Sequence, residues 1–135
     1  FCREYPPAPH PPGGIGTYVQ RAAAMLAAAG DSVHIVAQRW AGAPEATTRS
    51  ADGRITVHRV PLDATISGGP EPDTTRDGLL RSRNPVATFA WQAGLVARQL
   101  IDRDGVDVVE APDWEAPLAG LLAQDAPTRR PAYVV

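Results

Sequence analysis

The chain has 135 residues, 44% of them hydrophobic and 21% charged, and a formal net charge of −2. That size and balance fit one globular domain with a real core and exclude a disordered chain. No basic stripe tracks a phosphate backbone, so nucleic acid is not an expected partner. The close pairs Arg81/Arg83 and Arg129/Arg130 read as solvated loop charges.

All 13 basic residues are Arg. The absence of Lys excludes Schiff-base chemistry and a P-loop lysine. With the abundant Ala and Pro it also suggests a GC-rich, bacterial genome. Cys2 is the single cysteine, so no internal disulfide can form. The longest apolar run, Ala22 to Ala29, is too short to span a bilayer, and no signal peptide is visible.

In chain order, Phe1-Cys2 reads as the stub of a strand, and Arg3 to Pro12 as the loop behind it. Ile15, Tyr18, Val19, Ala22, Leu26 and Ala29 recur at helical spacing, and Gly30 stands where a glycine would end that helix. Val33 to Ala37, "VHIVA", reads as a buried strand. Ala41 to Gly53 is polar and turn-rich, and Asp52-Gly53 is a turn signal into "ITVHRV", Ile55 to Val60. Alternation there predicts a half-buried strand.

Leu62 to Arg83 shows little periodicity and is read as a functional or mobile segment. Asn84-Pro85 is a helix start, with Asn as N-cap and Pro in the first turn. Val86, Phe89, Ala90, Ala93, Val96, Ala97, Leu100 and Ile101 share one face, and Gly105 closes the helix. Val106 to Ala111 predicts a strand. Asp113 is placed as the cap of a short helix carrying Leu118, Leu121 and Leu122. Ala132 to Val135 begins a final strand.

This order predicts an α/β fold with a mostly parallel sheet and helices on both faces. Strands are cut at both ends, so the expectation is a single domain over residues 1–135 truncated from a longer protein.

The Gly-rich turn lies between the first strand and the first helix, where open α/β sheets bind phosphate. Gly14 and Gly16 supply two positions of G-x-G-x-x-G, but Val19 fills the third. Gln38 and Arg39 stand where a dinucleotide ribose would want an acid. A nicotinamide or flavin site is therefore disfavoured. A tight turn without any ligand is the plain alternative.

"REYPP", then "GGIGTYVQRAAAMLAAAGDSVHIVAQ", "GRITVHRVP" and "DVVEAPDWEAPLAGLL" together resemble the N-terminal domain of glycosyltransferase family 4 enzymes. The resemblance covers nearly the whole chain apart from Leu62 to Arg83. It implies a Rossmann-like domain forming the N-terminal half of a GT-B type, retaining, nucleotide-sugar-dependent transferase. The nucleotide sugar is then a substrate, and no cofactor or metal is expected. Gly13, Gly14 and Gly16 would offer backbone contacts to the donor diphosphate, and Thr17 a hydroxyl. A C-terminal domain, absent here, would hold most of the donor, so residues 1–135 alone are expected to be inactive.

Two departures stand out. The "APHPP" spacer, Ala8 to Pro12, is longer than usual. The family's functional His would fall beyond Val135, so no catalytic residue is assigned. His34 and His58 read as structural or solvent-facing strand residues, and His10 as a loop residue for which ligand contact is the lesser reading.

Acceptor candidates follow from position. Glu110, Asp113, Trp114 and Glu115 end a predicted strand or follow it, on the side where such sheets bind ligands. Carboxylates there can accept hydrogen bonds from sugar hydroxyls, and an indole can stack on a sugar face. The structural reading, Asp113 as cap and Trp114 as packing, weighs about equally. Arg39 could meet an acidic acceptor, and the plainer reading is a solvated charge. Trp91 reads as packing. The acceptor is a small molecule, a glycan or a lipid. The cytoplasm is the expected location, with membrane association compatible with a lipid acceptor. Two other readings stay open: another GT-B type enzyme such as a sugar-nucleotide epimerase, and a non-catalytic binding module.

Overall fold

Small residues set how the first helix packs. In the computed structural model, α1 (Gly14–Ala29) buries Gly16, Ala23 and Ala27, with Ile15 and Val19 partly buried beside them. The description covers residues 1–8, 10–43, 45–62, 85–124 and 127–135. The buried positions follow helical spacing, but on a different stripe from the one expected. Tyr18 and Leu26, counted on the apolar stripe by their helical spacing, are 57% and 45% exposed, and Ala29 is exposed as well. A face of Gly and Ala lets the helix axis approach the sheet more closely than a face of Tyr and Leu. At the far end Gly30 adopts φ 105°. Its N–H donates to the Ala27 carbonyl and that of Asp31 to the Leu26 carbonyl, each at 3.0 Å, closing the last turn in a Schellman motif.

The chain splits into two compact units, Phe1–Val60 and Pro61–Val135. In the first, β1 (Val33–Gln38), β2 (Thr47–Arg49) and β3 (Ile55–Val60) form a sheet in the order β1-β3-β2. β1 and β3 pair in parallel from Val33↔Ile55 to Gln38↔Val60. β2 pairs antiparallel with β3, Thr47 facing His58. The turn before β3 forms where Asp52-Gly53 predicts it, with Gly53 N–H donating to the Ser50 carbonyl at 2.9 Å.

β3 is more than half buried, contrary to the alternation reading: Thr56, Val57, Arg59 and Val60 are all enclosed. Its central place in the sheet is the reason. Residues 1 and 2 form no regular strand. Their segment still bonds to β1, with Cys2 N–H donating to the Val36 carbonyl at 2.9 Å and Gln38 N–H to the Arg3 carbonyl at 3.2 Å. Cys2, Tyr5, Ala23, Ile35, Ala37 and Val57 make the core of this unit.

In the second unit α2 (Pro85–Asp104) buries Phe89, Ala90, Trp91, Ala93, Gly94, Ala97, Leu100 and Ile101. The helix begins at Pro85 as read. The Asn84 cap and residues 63–83 lie outside the described residues. α2 packs against the short α3 (Ala119–Leu122) through Gly94 and Gly120. A Cβ at Gly120 would overlap the Ala90 carbonyl, so the two backbones touch directly. Gln124 Nε2 donates to the Trp91 carbonyl at 3.2 Å across the same contact. Asp102 accepts from Thr128 N–H at 2.8 Å and from its hydroxyl at 2.6 Å, fastening the approach to the last strand.

β4 (Val108–Glu110) and β5 (Ala132–Val134) form a parallel pair. β4 is shorter than the Val106–Ala111 strand expected. Asp113 does not cap α3: Leu118 precedes the helix, and no side chain of the described residues caps it. The chain turns first, with Glu115 and Ala116 in the left-handed region at φ 63° and 42°. The fold is thus mixed α/β, and among the described residues it has two small sheets in which two of three strand pairings are parallel.

Candidate functional site

The glycine turn begins at the carboxyl end of β1. Arg3 donates from its guanidinium to Gln38 Oε1 at 3.2 Å, on the last residue of that strand. The chain then leaves through its proline-rich loop and returns at Gly13, the extended residue before α1. Thr17 N–H to the Gly13 carbonyl, at 3.0 Å, is the first helical bond. The N–H groups of Gly14, Ile15 and Gly16 therefore precede the ladder. Among the described residues no side chain caps them, and the first turn holds no acid. The positive end of the helix dipole faces outward there.

The three glycines have different reasons to be glycine. A Cβ at Gly13 would come within 2.9 Å of Glu4 Oε2. One at Gly16 would meet Pro12 Cβ at 2.9 Å and the Glu4 carbonyl at 3.0 Å. Packing alone explains both. Gly14 is exposed, and a Cβ built on it would meet no atom of the described residues within 4 Å. Nothing in the packing of the described residues accounts for the missing side chain at Gly14. Thr17 is half-buried behind it.

Arg39 follows β1, exposed, its N–H bonded to the Val60 carbonyl at 2.8 Å. Sequence reasoning passed over Arg59. The residue is 4% exposed, with Nη1 donating to Thr48 Oγ1 at 3.0 Å and Nη2 to the Pro6 carbonyl at 3.1 Å. Nε has no partner among the described residues. Burial draws this guanidinium below the usual arginine range, against a small opposing effect of Tyr5. The available signal was a lone cation inside "ITVHRV". Tyr5 is itself buried, and burial pushes its phenol up.

The two strand histidines form a pair. His34 Nδ1 and His58 Nε2 lie 3.0 Å apart, with ring centroids 5.3 Å apart and planes inclined by 17°. Such a bond needs one ring nitrogen donating and the other accepting. His10 is exposed in the loop.

The second unit carries the other candidates. Glu110 ends β4 and is exposed. Asp113 is exposed, and its carbonyl accepts from Ala116 N–H at 3.2 Å. Trp114 is 68% exposed, which removes the packing explanation. Glu115 is half-buried and holds the first of the two left-handed conformations. Each such residue costs on the order of 1–3 kcal/mol, a strain that concentrates at ligand-binding turns.

Residues 13–135 match the description "glycosyl transferase 4-like domain". The chain belongs to that family. Glycosyl transfer, with a sugar donor and an acceptor as substrates in general, is the activity that membership brings. The match starts at the glycine turn, so the "REYPP" part of the resemblance lies outside it. No curated protein and no solved structure matches the chain. Among the described residues no helix is long and apolar enough to cross a membrane.

Proposed function

We propose that residues 1–135 are the acceptor-side domain of a retaining transferase that moves a sugar from a nucleotide diphosphate donor. In this reading the chain is one Rossmann-like domain, the N-terminal half of a GT-B fold, and a C-terminal domain holds most of the donor. The observation that carries it is Gly14: exposed, at a helix N-terminus that no described side chain caps, with no described atom where a side chain would stand.

The chemistry follows from charge. When the bond between sugar and diphosphate breaks, negative charge grows on the leaving phosphate oxygen. Amide N–H groups of Gly13, Gly14 and Gly16, with the Thr17 hydroxyl, donate to those oxygens, and the helix dipole stabilises the anion. On the acceptor side, Glu110, Asp113 and Glu115 take hydrogen bonds from hydroxyl groups. Trp114 offers its exposed ring to a sugar face, and Arg39 meets an acidic group.

The test is Gly14→Leu in a protein carrying both domains. Donor affinity and turnover should fall together while the fold persists; unchanged values would favour a turn without a ligand. Residues 1–135 alone should transfer no sugar. Detectable transfer would refute the division of labour.

A further inference from the structure

We propose that Arg59 is a positioning residue for the glycine turn. It holds the Pro6 carbonyl, and through segment 4–6 it sets where the amides of Gly13 to Gly16 stand. The inference rests on the reading that this turn meets a diphosphate.

Arg59 is a costly residue where it stands. A guanidinium enclosed in β3 loses its hydration, and its bonding partners are a hydroxyl and a carbonyl, both neutral. An apolar side chain of similar volume would fill the same space with no desolvation cost. What Arg59 supplies, and an apolar residue cannot, is a tie between two remote pieces of chain: Thr48 in β2 and Pro6 in the loop.

That tie reaches the turn by short steps. Pro6 has a fixed φ, and the residue before it, Tyr5, is buried with its N–H donating to the Cys2 carbonyl at 3.3 Å, so a displacement at Pro6 is passed on toward Glu4. Two residues before Pro6, Glu4 lies against the turn, its carboxylate beside Gly13 and its carbonyl beside Gly16. The contacts that require glycine at positions 13 and 16 are therefore contacts with the segment that Arg59 holds.

The test uses the 135-residue chain and three variants: Arg59→Met, Arg59→Lys and Thr48→Val. The first readout is the amide resonances of Gly13, Gly14 and Gly16 without ligand. The second is affinity for pyrophosphate. Arg59→Met should move all three resonances and weaken pyrophosphate binding about tenfold, as a misplaced contact does. Arg59→Lys keeps a charged donor but loses the fork that reaches Thr48 and Pro6 together, so it should move them measurably, though less than half as far.

Thr48→Val removes the other acceptor. It should lower the unfolding midpoint and leave the glycine resonances in place. Unmoved resonances in the folded Met variant would overturn the proposal, as would equal movement in Thr48→Val. Should the Met variant not fold, unmoved resonances in the Lys variant overturn it too. Moved resonances in a chain that never binds pyrophosphate would sink the diphosphate reading and leave the positioning role standing.

Discussion

Replacing Gly14 by Ala separates a ligand-binding turn from a structural one. The added Cβ meets no atom of the described residues within 4 Å, so it costs nothing in packing against them. Gly14 is the first residue of α1, and Ala in place of Gly favours a helix by up to about 1 kcal/mol. The variant should be as stable as the parent or slightly more so. The methyl group nonetheless occupies the space through which a phosphate would approach the amides. Pyrophosphate affinity should fall about tenfold, equivalent to roughly 1.4 kcal/mol.

Gly16→Ala is the control. Its Cβ would press on Pro12 and the Glu4 carbonyl at 2.9 and 3.0 Å. Overpacking of that kind costs about 1–3 kcal/mol. Urea unfolding gives the stabilities, and titration of amide resonances gives the affinities. A Gly14→Ala variant destabilised as much as Gly16→Ala, or binding pyrophosphate as well as the parent, would refute the reasoning.

Three further outcomes are expected. The Glu4 carboxylate beside Gly13 repels an anion on the turn, so Glu4→Gln should tighten pyrophosphate binding about two- to fivefold, an effect that fades as salt rises. Trp114→Ala should leave the unfolding midpoint within about 0.5 kcal/mol of the parent, because the ring is 68% exposed, yet raise the acceptor KM in a two-domain enzyme. Burial raises the Cys2 thiol from 9.0 to about 11. The fold thus favours the neutral thiol, and this contribution to stability is fully present below pH 9 and is lost as pH rises toward 11. Urea midpoints should fall more across that window in the parent than in Cys2→Ala.

The elements legible from sequence were those with a long or clean period. α1, β1, β3 and α2 lie where spacing and the terminal signals Gly30, Pro85 and Gly105 put them. β2 was not legible, because Thr47, Thr48 and Arg49 carry no apolar pattern and form a strand only by pairing with β3. The buried stripe of α1 was misread for a physical reason: size complementarity to the sheet selected Gly16, Ala23 and Ala27 over the larger residues. Asp113 looked like a cap because the left-handed turn at Glu115 and Ala116 has no marker in residue type.

In the site, the glycines were visible as a motif, but only the geometry separates Gly14 from Gly13 and Gly16. Arg59 escaped notice because its partners, Pro6 and Thr48, are distant in the chain. The His34–His58 pair escaped for the same reason: it depends on the parallel register of β1 and β3.

The most direct test of the central claim is a map of backbone amide shifts as pyrophosphate is added to the chain. Saturable shifts should be largest at Gly13, Gly14, Gly16 and Thr17 and should vanish in Gly14→Leu. Shifts that peak elsewhere, or that leave the amino end of α1 unmoved at saturation, would contradict the account.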